Sequence, residues 1–137
     1  MVNITTGTIN FVVTGIASYA MTKAALNTFT KYLSVELRSR NILVTATHPG
    51  VVKTGLVDSV FKQNAPELGI SQAHEKFQKE NKYLDVDLSA KFLSWLLLDA
   101  DDSLYTGDVI GVYNKQYQSL WSDKLIPSPY PADVEAP

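Results

Sequence analysis

The stretch SYAMTKAALNTFTKYLSVELRSRNILVTATHPG, residues 18–50, contains a change of period that decides the fold. Leu26, Phe29, Leu33 and Leu37 recur at spacings of three, four and four, which is one stripe of a helix and is expected to be buried. Met21, Ala25, Thr28, Tyr32 and Val35 form a softer stripe beside it. Arg38 and Arg40 suit the negative end of a helix dipole, and Asn41 suits a left-handed residue just past the end. The helix is therefore predicted over 18–38. ILVTATH then runs almost without a break in apolar and β-branched residues, the pattern of a strand covered on both faces, and Pro49-Gly50 stops it.

Working outward, VNITT at 2–6 reads as a short strand that ends at Gly7, and 8–17, interrupted by Gly15, as a loop. Residues 55–86 are mixed and charged, broken by Pro66 and Gly69, and predict short helices. Asp87 is placed to cap a helix over 88–98, with Leu88, Phe92, Trp95 and Leu96 on one face as core. VIGVY at 109–113 reads as a third strand. Four of the six prolines fall in IPSPYPADVEAP, so 121–137 is expected to be a flexible tail. The order strand, helix, strand, insert, helix, strand predicts an α/β fold. It would be a partial doubly wound, Rossmann-like parallel sheet of about three strands and two main helices. Ligands in such sheets bind at the carboxyl ends of the strands. Here those ends are Thr5-Thr6-Gly7, the turn HPGVVKT and the residues after Tyr113.

Composition narrows the function. The chain has 137 residues, 45% of them hydrophobic and 19% charged, with a formal net charge of −2. That balance gives no basic surface for nucleic acid. There is no cysteine, and the two histidines, His48 and His74, are far apart, so no metal site is expected. FLSWLLL at 92–98 is too short to span a bilayer, and MVNITTG lacks the form of a secretory leader; the cytoplasm is the expected location, with no membrane partner.

Tyr19 and Lys23 stand one helical turn apart at the start of the long helix. As a pair they are weak evidence, since this composition produces about 0.5 such pairs by chance. The plain reading is a surface tyrosine beside a solvated lysine. The chemical reading is that a cation roughly 5–6 Å away at Cβ favours the phenolate, turning a reluctant phenol into a usable acid or base. His48 reads as a packed or surface histidine, and His74 as part of a solvated helix face.

Taken in order, these segments resemble the carboxy-terminal half of a short-chain dehydrogenase/reductase. Tyr19-Ala-Met-Thr-Lys23 matches the family's Tyr-x-x-x-Lys. Thr6 stands thirteen residues before Tyr19, where the family places its catalytic serine. HPGVVKT resembles its Pro-Gly turn, and SLYTGDVIGVY its last segment. The resemblance implies catalytic roles for Thr6, Tyr19 and Lys23. It implies contacts to a nicotinamide cofactor from Tyr19, Lys23, Pro49, Gly50, Val52 and Thr54. The cofactor would be NAD or NADP, with NADP the preferred of the two, and the substrate a small carbonyl compound or alcohol. Residues 1–120 would be the carboxy-terminal portion of the Rossmann-like domain, with 55–86 its substrate lid. The resemblance further implies a homo-oligomer or self-associating chain. The family's dinucleotide-binding half, with its Gly-x-x-x-Gly-x-Gly loop and catalytic asparagine, has no counterpart in these residues. The alternative expectation is therefore a non-catalytic remnant acting as an assembly or binding partner.

Overall fold

The computed structural model describes residues 1–63 and 68–130. Pro66, expected to break the insert, and tail residues 131–137 lie outside the described residues. Three parallel strands, β1 (Val2–Ile4), β2 (Val44–His48) and β3 (Thr106–Gly111), form one sheet in the order β1-β2-β3. Among the described residues there are five α-helices: α1 (Ala17–Glu36), α2 (Gly55–Gln63), α3 (Gly69–Lys79), α4 (Val86–Leu98) and α5 (Lys115–Trp121). The central strand, β2, is buried at every position, as its unbroken apolar and β-branched run predicts.

Side-chain alternation sets the two faces of the sheet. Gly107 packs on α1, while Ile110 and Val112 join Phe92, Trp95, Leu96 and Trp121 in the core beneath α4 and α5. On β1 the same alternation sends Val2 to that core and the Asn3 amide to Thr30 of α1, with the Asn3 Nδ2 to Thr30 Oγ1 bond at 2.9 Å. Helices thus cover both faces of a short parallel sheet, the partial Rossmann-like architecture expected.

Several local expectations need correction. The stripe on α1 is not the seam that was read, because Phe29 is 56% exposed and the fully seated residues are Thr30 and Ser34. The backbone of β3 comes too close to Ser34 for a large side chain there, while Thr30 donates to Leu26 O within α1 and accepts from the Asn3 amide of β1. The softer stripe of Met21, Tyr32 and Val35 is exposed. Asp85, not Asp87, caps α4, its Oδ1 accepting from the Asp87 amide at 2.8 Å. β3 starts at Thr106, three residues before the apolar run. Asn41 does take the left-handed position, at φ 58°, after a 3-10 turn at Arg38–Arg40. The stretch expected to be a tail contributes Trp121 and Ile126 to the core. Gln118 ties it down, its amide donating to Ile126 O at 2.8 Å and its Oε1 accepting from Ile126 N at 3.0 Å.

Candidate active site

The site begins where β1 runs out. Thr5 N still donates to Thr47 O at 2.8 Å, continuing the ladder, but Thr6 has left it. Thr6 is in extended geometry and caps a 3-10 turn at Gly7–Ile9, its Oγ1 accepting from Thr8 N at 3.3 Å. The Thr6 and Thr8 hydroxyls lie 3.1 Å apart. A β-branched side chain has few rotamers, and here a cap bond fixes which one is used. Thr6 is only 8% exposed.

The loop over 10–16 turns through Gly15, at φ 99°, and α1 starts at Ala17. Tyr19 therefore sits in the first turn, 44% exposed, and Lys23 in the second. Lys23 Nζ donates to Ile4 O at 2.8 Å and lies 5.8 Å from the centre of the Tyr19 ring. Ile4 is the last residue of β1, so this bond returns the ammonium to the strand end from which Thr6 emerges. The three residues predicted as catalytic thus gather at the carboxyl edge of the sheet.

The turn after β2 is held by the chain itself. Gly50 is at φ 96°, a backbone conformation in which an L side chain is strained, so glycine suits this turn. Ser89 Oγ donates to Pro49 O at 2.8 Å, and Leu84 N donates to Val51 O at 2.8 Å. Val52 pairs with Leu84 as an isolated parallel bridge. Thr54 is exposed and its Oγ1 accepts from Val57 N at 3.4 Å, capping α2. The donor set at this edge, one ammonium, one phenol, two hydroxyls and a turn backbone, matches the hydroxyls of a ribose and the amide of a nicotinamide. The seven glycines include no glycine-rich cluster of the kind that cradles a pyrophosphate.

Sequence reading missed a set of rings around this edge. His48, at the end of β2, is buried and packed by Tyr113 at 6.0 Å and Tyr130 at 6.1 Å, ring centre to ring centre. Burial lowers its pKa to about 4, so it is the packed neutral residue its position suggested and carries no charge near pH 7. Burial pushes the Tyr113 and Tyr130 phenols up. His74 departs from expectation: it is half-buried, with its ring 5.8 Å from that of Tyr83 and its Nδ1 at the Tyr83 hydroxyl. The far side of α3 packs inward, which a charged heptad alone does not reveal. Tyr130 had no local signal, because its contacts lie far away in sequence. Among the described residues no group of His, Asp or Glu could hold a metal ion, and no helix is long and apolar enough to cross a membrane.

Comparison with known proteins points to one family. A family model described as enoyl-(acyl carrier protein) reductase matches residues 1–113. An uncharacterized oxidoreductase of Schizosaccharomyces pombe is 40% identical over 62 residues, covering 43% of this chain and 24% of that protein. The oxidoreductase UcpA of Escherichia coli K12 is 43% identical over 53 residues, covering 39% and 20%. A glucose and ribitol dehydrogenase of Daucus carota is 31% identical over 97 residues, covering 67% and 30%. The chain thus spans under a third of the length of the curated relatives it matches. With the family model covering most of its length and the strand end, Tyr-x-x-x-Lys helix and Pro-Gly turn lying on one sheet edge, the chain belongs to the short-chain dehydrogenase/reductase family of oxidoreductases.

Proposed function

We propose that this chain forms the substrate and nicotinamide side of an NAD(P)-dependent oxidoreductase that reduces a carbonyl or oxidises an alcohol. The observation that carries the reading is the Lys23 Nζ bond to Ile4 O, which joins the Tyr19 helix to the strand end bearing Thr6. When bound, the nicotinamide supplies or accepts the hydride. Tyr19 gives its proton to the carbonyl oxygen in reduction and takes it back in oxidation. Thr6 donates a second hydrogen bond to the same oxygen. An ammonium has three donors. One of Lys23's is spent on Ile4 O, leaving two for the phenol oxygen and the ribose hydroxyls. Pro49, Gly50, Val52 and Thr54 hold the carboxamide end, and 55–86 serves as the substrate lid. NADP is the preferred cofactor, and the chain works as a homo-oligomer. The test is hydride transfer by this chain fused to the glycine-rich half of a relative. Carbonyl-dependent oxidation of the reduced cofactor, lost on Tyr19→Phe, supports the reading; turnover retained by Tyr19→Phe overturns it.

A second reading, a non-catalytic remnant that serves as an assembly partner, is favoured by one observation. A groove of about 460 Å³ lies between residues 8–13 and the Ala17, Ala20 and Ala24 face of α1. Under this reading the fusion binds its partner half yet transfers no hydride to any carbonyl compound offered.

A further inference from the structure

Rings from distant parts of the chain meet above the carboxyl end of the sheet. Tyr130 lies 5.3 Å from Phe11 in the β1–α1 loop, 6.3 Å from Phe77 on α3 and 6.1 Å from Tyr113 after β3, ring centre to ring centre. The core cluster under α4 and α5 is built from other residues, so Phe11, Phe77 and Tyr130 serve a separate meeting point. That point is next to the reacting groups. Tyr130 Cε2 comes within 3.7 Å of where a Cβ on Gly7 would stand, one residue from Thr6, and its hydroxyl is 3.3 Å from His48 Nε2. The phenols of Tyr113 and Tyr19 lie close enough to add to the upward push on Tyr130.

We infer that Tyr130 is a specificity-determining residue: with Phe11 and Phe77, whose rings are each tilted 53° to its own, it makes an uncharged aromatic wall beside Thr6 and Tyr19, and the carbonyl compound accepted bears its reactive group on an aromatic or conjugated ring. The inference rests on the reading that Thr6 and Tyr19 address a carbonyl. Ring faces favour flat partners in offset or edge-on contact over puckered saturated ones. The wall offers an anionic substrate no countercharge, because Phe11, Phe77 and Tyr113 are uncharged and His48 is held neutral near pH 7. It also offers few donors to a polyol.

The test uses the purified chain without dinucleotide and two ketones of equal carbon count, acetophenone and cyclohexyl methyl ketone, in saturation-transfer NMR titrations. Acetophenone is expected to bind about 3–10-fold more tightly, the range of one or two good ring contacts. Tyr130→Phe should keep that ratio, and Tyr130→Leu should bring it to about one, the loss of one ring face. Should Tyr130→Leu fail to fold, Phe11→Leu removes the facing ring and is expected to lower the ratio likewise. Equal binding of the two ketones, no binding of acetophenone, or a ratio untouched by either leucine variant overturns the inference. So does tighter acetophenone binding by Tyr130→Leu, which would mean that the ring fills the site. Since no cofactor is present, a failure here leaves the oxidoreductase reading to its own hydride-transfer test.

Discussion

Ser34 of α1 stands where the side chain of Gly107 would be. Its Oγ lies 2.9 Å from Thr106 O and 2.8 Å from Lys31 O, its one proton serving either carbonyl, and any Cβ on Gly107 would meet that oxygen and come within 2.8 Å of Lys31 Cα. The closest approach of helix to sheet is therefore set by a hydroxyl and a missing methyl group. Gly107 is also at φ 87°, where an L-residue is strained.

Gly107→Ala should accordingly cost about 3 kcal/mol, combining backbone strain with overpacking. Ser34→Ala should cost only about 1 kcal/mol, the loss of a partner for Thr106 O. Urea unfolding of the three proteins checks this, and equal midpoints for wild type and Gly107→Ala would contradict the close approach.

In the fused, dinucleotide-competent form, Tyr19→Phe should lower turnover by about 10²–10⁴-fold while the unfolding temperature is unchanged. Lys23→Ala should reduce both rate and cofactor affinity and also loosen the α1 start, because its bond to Ile4 O is lost. Thr6→Ser should be tolerated and Thr6→Ala should cost less than Tyr19→Phe. Steady-state kinetics with one carbonyl substrate ranks the four.

The chain alone should bind NAD or NADP weakly. Pyrophosphate affinity comes chiefly from backbone N–H groups at a glycine-rich helix start. On the function proposed above, Tyr19, Lys23 and the 49–54 turn would serve only the nicotinamide end. Calorimetric titration that found micromolar affinity would refute this.

His48 gives the fold an acid limit. Burial holds its folded pKa near 4, below the ordinary value of 6.5. A depressed pKa means the folded state binds fewer protons, so stability is full above the unfolded value and is lost as pH falls from about 6.5 towards 4. The loss from this one residue is about 3 kcal/mol at most. Unfolding measured at pH 7 and pH 4.5 should show the drop, and His48→Gln should show a smaller one. An identical drop in the variant would assign the effect elsewhere.

The chain should also associate. Among the described residues β1 is an edge strand, with no partner strand on one side of Val2–Ile4, and no lysine or proline within it discourages pairing. Met21, Tyr32 and Val35 of α1 are exposed as well. Light scattering at tens of micromolar should show more than a monomer, reduced in Tyr32→Glu/Val35→Glu. A cooperative monomer would count against it.

What was legible in the sequence followed from local chemistry. The helix-to-strand change at Asn41 could be read because a left-handed cap and a β-branched run are written in adjacent residues. Thr6, Tyr19 and Lys23 could be placed on one edge because topology fixes where strands end. The inward face of α1 was misread because hydrophobicity suggested Phe29, whereas the available space is set by Gly107, seventy-eight positions along the chain. β3 was started late because Thr106 and Asp108 look like loop residues, yet Thr45 Oγ1 donates to Asp108 O at 2.8 Å and keeps them in the sheet. The sequence reading gives no helix over 115–121, although Asn114 caps α5 by accepting from Gln116 N at 3.0 Å; only its last residue, Trp121, falls in the expected tail.

The bridge between Val52 and Leu84, which lies outside the three strands, brings the two ends of the insert side by side. Everything between is a detour with a closed mouth, fastened again where Gly69 N donates to Thr14 Oγ1 at 2.7 Å. The sheet does not register how long that detour is. Lengthening a closed loop adds little entropy cost, about 0.6 kcal/mol per doubling. The insert can therefore vary in length like a cassette while β1, α1 and β2 keep their places.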